Sequence, residues 1–481
     1  MTSTVYPTGT TIYNPEQCWN GYTLFPATLS EGKLAGAVLI DMNGNVVNQW
    51  EGLDGLPNKM LPGGYIMGST GQVGVQDMID VVQCDWDGEI VWKFYKYALV
   101  GDSGRKPEWI ARQHHDYQRE GNPVGYYVPG MDPLIDRGNT HILCHKELEN
   151  PKISDKPLLD DAIIEVTWDG MIVWEWICSD HFDEMGFDDE AKSTIKRNPS
   201  LRTSTGGQKV GDWTHMNSMS LLGPNKWFDA GDKRFAPGNI IWSGRNTNII
   251  AIVDKATSKI VWQVGPDFTA TEELRKLKQI VGQHHAHIIP KGLPGEGNIL
   301  VFDNGGGAGY GAPNPSALTG TRNAVRDYSR VLEFDPTTLA IVWQYTPNEA
   351  GFIIPMNAQM FYSSFVSAAQ RLPNGNTLIT EGAGGRILEV TPQHDIVWEY
   401  LSPYRHRTRN MNLVYRAYRV PYEWVPQVDK PEHRAIARID NNQFRVPGSL
   451  IKEPLKTTTV AGAKEPSSEV ELCVVPETEN T

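Results

Sequence analysis

The sequence predicts an all-β fold, a six-bladed β-propeller with long loop insertions and a loose C-terminal tail, and two repeats carry that prediction. Six times a run of alternating apolar residues crosses a polar turn and ends on tryptophan. The runs are AVLIDMNGNVVNQW at Trp50, VVQCDWDGEIVW at Trp92, AIIEVTWDGMIVW at Trp174, AIVDKATSKIVW at Trp262, VLEFDPTTLAIVW at Trp343 and ILEVTPQHDIVW at Trp398. Alternation on both sides of a turn rich in Asp, Asn, Gly, Pro or Thr marks a β-hairpin. Between the hairpins a polar turn, usually with Gly-Asn, leads into a further apolar strand: LPGGYIM (61–67), RGNTHIL (137–143), PGNIIW (237–242), EGNILVF (296–302) and LPNGNTLI (372–379). One such unit and one hairpin make a four-stranded sheet, and a ring of these sheets is a propeller.

Taken in order, the first hairpin has only GYTLF (21–25) before it, too little for a whole blade. The alternating stretch NLVYRAYRVPYEW (412–424) is therefore expected to pair with the N-terminal strands and close the ring, which removes the open sheet edges. The propeller is expected to occupy 1–448 and a flexible tail 449–481, where Thr, Pro and Glu replace the pattern. Successive tryptophans lie 42, 82, 88, 81 and 55 residues apart, so the long insertions fall in the middle blades, where functional loops are to be sought. Two inserts read as helices, KPEWIARQ (106–113) and TATEELRKLKQI (269–280).

A 481-residue chain with 40% hydrophobic and 10% aromatic residues has material for one continuous repeat body. The net charge of −13 and the lack of a basic cluster argue against nucleic acid as a partner. No apolar run reaches the length of about 18 residues that a membrane helix needs. The N-terminus MTSTVYPTGTTIYNPEQ has neither a charged n-region nor an apolar h-region, so the expected location is cytoplasmic and away from membranes. Cys18, Cys84, Cys144, Cys178 and Cys473 are odd in number and without CxxC spacing, which fits reduced thiols. A homo-oligomer is compatible with all of this.

Histidine carries the functional signal. Gln113-His114-His115 in the third repeat and Gln283-His284-His285 in the fifth align at the start of the innermost strand, and His215 of DWTHMNSMSLL lies near the same place in the fourth. Neighbouring strand residues point to opposite faces, so one member of each pair is expected to face the channel. His181, His394, His406 and His433 read as structural, with His141 and His145 undecided. Ser243, Arg245, Asn246, Asp303, Asn304, Arg330 and Glu381 fall at strand ends that would share this mouth. The loop GGGAGYGAPNP (305–315) reads as a cover rather than an anion cradle, lacking a following helix or a P-loop lysine. Tyr126, Tyr127, Tyr310 and Phe361 are candidates for an aromatic wall.

The segments DWTHMNS, IIWSGRNTNIIAIVDKATSKIVWQVG, QHHAH, GNILVFDNG, YSRVLEFD and AQRLPNGNTLITEGAGGRILEV occur in an order and spacing that resemble the bacterial arylsulfate sulfotransferases, over most of residues 20–400. The resemblance implies a six-bladed propeller. It also implies ping-pong transfer of a sulfuryl group from an aryl sulfate to a phenolic acceptor, through a histidine and without a nucleotide donor or other cofactor. By motif, His215, His284 or His285, and Arg330 match its sulfate-site residues. The catalytic set expected from this is His115, His215, His285 and Arg330, with His114, His284, Arg245, Asn304 and Tyr310 binding an aromatic substrate. The resemblance places the sulfuryl-accepting histidine between Arg330 and AQRLPNG, but PNEAGFIIPMNAQMFYSSFVSA has none there, so either another residue takes the role, His115 first, or the chemistry differs. Two further readings stay open. His115, His215 and His285 with Glu381 would suit a divalent transition metal in a lyase, hydrolase or oxidoreductase. A propeller can also be a non-catalytic binding surface.

Overall fold

The tryptophan hairpins form the outer halves of six four-stranded antiparallel blades in a computed structural model that describes residues 7–28, 35–73, 76–101, 106–200, 211–311, 324–354, 356–405, 411–440 and 460–462. From the axis outward, the first blade is Tyr418–Val420, Tyr22–Thr28, Ala35–Ile40 and Val46–Glu51, and the second is Asp54–Leu61, Tyr65–Ser69, Val81–Cys84 and Ile90–Phe94. The third is Gln113–Arg119, Thr140–Leu148, Leu158–Val166 and Ile172–Ile177. The fourth is Met216–Leu221, Ile240–Gly244, Ile249–Val253 and Ile260–Val264. The fifth is His284–Ile288, Ile299–Asp303, Arg330–Phe334 and Ile341–Tyr345, and the sixth Ala368–Arg371, Thr377–Glu381, Arg386–Val390 and Ile396–Leu401. Each polar-turn repeat supplies the second strand of a blade, as the sequence predicts.

The apolar faces meet between blades. Ile250, Ile252 and Trp262 of the fourth blade share one buried cluster with Ile288, Ile299, Val301 and Leu332 of the fifth. The recurring tryptophan has a polar task as well. Its indole N–H donates to a carbonyl in the hairpin turn of the next blade: Trp50 to Trp86 at 3.1 Å, Trp92 to Trp168 at 2.8 Å and Trp174 to Lys255 at 3.2 Å. The series continues with Trp262 to Pro336 at 2.8 Å, Trp343 to Pro392 at 3.1 Å and Trp398 to Met42 at 2.8 Å, which returns to the first blade. A large apolar ring with one donor suits an interblade seam that ends in a turn carbonyl.

The ends close the ring twice. Tyr418–Val420 pairs with the N-terminal strand, Tyr22 opposite Val420 and Leu24 opposite Tyr418. Gly9–Tyr13 adds a fifth strand outside the sixth blade, with Tyr13 opposite Trp398 and bridged to Ile436. Arg419 is sealed in this closure, bonded to Thr23 Oγ1 at 2.8 Å and to Glu389 at 3.0 Å.

The insert at 106–113 is not helical: Glu108–Ile110 pairs with Ala98–Val100, because cross-strand bonding outweighs the helix propensity of a short segment. The second predicted helix is present but shorter, Glu272–Leu277, capped by Thr271 Oγ1 accepting from Leu274 N–H at 3.2 Å. A helix missed in the sequence, Asp189–Arg197, starts at the Asp188 cap. Cys18, Cys84, Cys144 and Cys178 are free and buried. Cys473, His406 and, except for 460–462, the predicted tail lie outside the described residues. Among the described residues no helix is long and apolar enough to cross a membrane.

Candidate functional site

The inner strands of blades three, four and five share a local irregularity that the sequence does not display. His115, His215 and His285 all take left-handed backbone, with φ of 56°, 49° and 55°. The ladder slips across two of them, between Gln113 and Tyr117 and between His284 and His287, and just after the third, between Met216 and Ser218. A β-bulge with a left-handed residue re-aims side chains, so the strict alternation expected of the His pairs does not hold. The preceding glutamines are interblade clamps: Gln113 Nε2 donates to Leu56 O at 3.0 Å, and Gln283 Nε2 to Ile249 O at 3.0 Å.

The bulges gather imidazoles between blades three and four. His115 and His215 meet edge to face, ring centroids 4.7 Å apart. His215 Nδ1 lies 2.5 Å from Asp212 Oδ2. Burial tends to raise Asp212, but His215 beside it outweighs this and draws the carboxyl down to about 2. His115 Nδ1 is 2.8 Å from His114 Nδ1, and the His114 ring stacks on His145 at 3.6 Å. Burial, then the neighbouring imidazoles, holds His114 and His115 well below the usual histidine range, so both are neutral. His145 goes the other way. Burial opposes its charge, but Asp77, whose Oδ1 lies 2.5 Å from Nδ1 and whose Oδ2 accepts from Arg112 Nε at 2.9 Å, raises it. His284 completes this side: its Nδ1 is 2.7 Å from Asn304 Oδ1, and burial followed by Arg245 lowers it.

His285 belongs to a different group, at the axis. Its neighbours are His287, with ring centroids 4.5 Å apart, and Tyr418 at 5.9 Å. Asp116 is salt-bridged there to Lys59 at 2.7 Å and to Arg416 at 2.8 Å, and these cations outweigh burial to hold it below the carboxylate range. Tyr415 reaches in to donate to His115 O, and Arg416 donates to Asn217 O. The axis is thus filled by charged and phenolic groups, not by the apolar plug that a pure scaffold would be expected to carry.

Several sequence expectations need correction. Arg330 does not reach the imidazoles: Asp303 binds it at 2.7 Å, and the carbonyls of Leu277 and Gln279 take its other N–H groups. Tyr310 turns its hydroxyl to the carbonyls of Pro199 and Trp213. No aromatic wall forms, since Tyr127 stacks on Trp19, Tyr126 bonds His287, and Phe361 packs on Phe302 and Tyr345. His115, His215, His285 and Glu381 are not a metal set. Glu381 is held by Arg386 at 3.2 Å and by Tyr362 N–H, and the one group with metal-ligand spacing among the described residues is His114, His145 and Asp161. The amides of Gly305 and Gly309 are spent on Val281 O and Asn246 O, so these two do not cradle an anion. In the sixth blade the left-handed entry recurs with serine: Ser367, φ 89°, bonds Ser363 Oγ at 2.8 Å. Asp77, Asp161 and Asp212 went unremarked in the sequence: strand register brings the first two to the histidines, whereas Asp212 stands three residues before His215 and is turned onto it locally. A depression of about 520 Å³ beside Trp50, Leu53 and Trp86 lies between the first two blades and contains none of these groups.

The family model described as Arylsulfotransferase (ASST) matches residues 134–400. No curated protein matches the chain. Similar solved structures include a protein of unknown function from Bacteroides caccae, 11% identical, covering 83% of this chain and 99% of that one at a TM-score of 0.41. Virginiamycin B lyase from Staphylococcus aureus is 10% identical and covers 80% of this chain and 75% of its own at a TM-score of 0.31. Likenesses at this level carry nothing about chemistry.

Proposed function

Because the chain belongs to the arylsulfotransferase (ASST) family, whose match spans residues 134–400, we propose that it transfers a sulfuryl group from an aryl sulfate to a phenolic acceptor through a sulfohistidine at His215. The observation that carries the choice of His215 is its contact with Asp212. An ionised carboxylate at Nδ1 keeps the ring hydrogen there and leaves the lone pair on Nε2, the arrangement a nucleophilic imidazole needs. His215 is also the more open ring of the pair, its side chain 19% exposed where His115 is buried.

In the first half-reaction Nε2 attacks sulfur, the N–S bond forms as the sulfur–aryl oxygen bond breaks, and a phenolate departs. The sulfated ring keeps its Nδ1 hydrogen and carries a positive charge beside Asp212. In the second, the acceptor oxygen attacks the same sulfur, the N–S bond breaks and neutral His215 returns. The proton lost by the acceptor equals the one the released phenolate takes up. Such transfers pass through a loose transition state with charge on the peripheral oxygens, so fixed donors from His115 and Arg245 would stabilise it electrostatically. No cofactor enters this scheme. The test is peptide mass mapping after rapid quenching with a chromogenic aryl sulfate and no acceptor. A sulfuryl adduct on the His215 peptide is expected; an adduct only elsewhere, or no phenol release from the protein, sinks the proposal.

A further inference from the structure

We propose that His114, His145 and Asp161 form a buried site for one divalent transition-metal ion, with zinc the best match, inside the third blade. The three residues come from three successive strands. His145 and Asp161 are cross-strand partners, and the bulge at His114 turns its ring onto theirs. One potential ligand atom from each lies within 4.8 Å of the others, and all three residues are buried.

The hydrogen bonding leaves the same three atoms over. Asp77 takes His145 Nδ1, His115 takes His114 Nδ1, and Thr214 Oγ1 with Met216 N–H takes Asp161 Oδ2. His114 Nε2, His145 Nε2 and Asp161 Oδ1 face inward with no hydrogen bond among the described residues. His114 Nε2 and Asp161 Oδ1 are 3.0 Å apart, within ion-pair range, but off the line a hydrogen bond requires. Buried polar atoms are rarely left unmatched, and three gathered within 4.8 Å of one another call for a common partner. Ligands about 2.0–2.1 Å from a tetrahedral zinc stand roughly 3.3 Å from each other, close to the 3.0 Å between His114 Nε2 and Asp161 Oδ1. Two imidazoles and a carboxylate are a zinc or iron donor set, and a carboxylate behind a ligating histidine is the usual support for it. The two rings, 10° from parallel, would splay about their Nδ1 contacts to close on the ion.

The buried ion has a consequence one residue away. With His114 Nε2 coordinated, the hydrogen of that ring stays on Nδ1 and is donated to His115 Nδ1, so the hydrogen of His115 must sit on its Nε2. The ion thereby makes His115 a donor at Nε2. This consequence rests on the transfer reading above; ion binding does not.

The experiment uses the full chain, produced in zinc- or cobalt-supplemented medium and desalted. About one retained ion per chain is expected, with the visible d–d bands of four-coordinate cobalt(II) in the cobalt protein. His145→Gln and Asp161→Asn should each lower metal retention roughly tenfold or more, with folding checked by circular dichroism. His215→Asn should retain the ion. A wild-type protein without retained metal and without cobalt bands overturns the proposal, and the wild-type spectrum decides this even if a variant fails to fold. Retention unchanged in both ligand variants also overturns it, since the ion then sits elsewhere. Because the measurement needs no aryl sulfate, a failed transfer assay counts against the sulfuryl proposal and leaves this site standing.

Discussion

A left-handed histidine is an unusual choice, since the backbone there favours glycine or asparagine. His115, His215 and His285 all make it. That conformation guides the design of variants: His215→Asn tolerates the backbone where a β-branched residue would not. It should reduce aryl sulfate turnover by about a thousandfold or more while leaving the melting temperature nearly unchanged, as read by phenol release and calorimetry. Asp212→Asn removes the charge that fixes the His215 tautomer, and should lower kcat by roughly a hundredfold to ten-thousandfold. The paired histidines and the His215 motif were legible in the sequence. Their partners Asp77 and Asp161 were not, because carboxylates on other strands acquire meaning only through register and bulges; Asp212, three residues before His215, was in view but its contact depends on the local turn. Arg330 shows the converse error: a motif can align while its guanidinium is spent on Asp303.

His287 gives the site a pH signature. Burial lowers it to about 4, against an ordinary value near 6.5. The unfolded chain therefore takes up a proton that the folded ring refuses as pH falls from about 6.5 to about 4, and stability declines across that window. At about 1.4 kcal/mol per pKa unit, the loss from this one group is a few kcal/mol by pH 4. Urea titrations at successive pH values should show the slope, and His287→Gln should flatten part of it.

At the scale of the element, the tryptophan hairpin was fully visible in the sequence, and its spacing fixed the blade count. Its reason was not visible, because the carbonyl it meets belongs to the next repeat. Trp398→Phe deletes the bond to Met42 O and leaves the ring in place. The expected cost is about 1–2 kcal/mol by denaturant unfolding, with the far-UV spectrum preserved. The misassigned helix at 106–113 failed for a related reason: its partner strand at 98–100 lies before it, and pairing between two short segments leaves no periodic trace in either.

At the scale of the molecule, closure was predicted from the unpaired alternation at 412–424, and Tyr418–Val420 takes that place. What the pattern could not show is that the segment before it passes through the axis. Asp116 there neutralises Lys59 and Arg416. Asp116→Ala would strand two buried cations and should cost about 3–5 kcal/mol in equilibrium unfolding. The route of this segment also sets a timetable. A nascent chain can assemble every histidine-bearing blade before residues 415 and 416 emerge, yet the His115 carbonyl and the Asp116 carboxylate wait for Tyr415 and Arg416. The ring is locked and the floor of its site laid in one late event, so a product cut short before that segment would be inert even with its histidines intact.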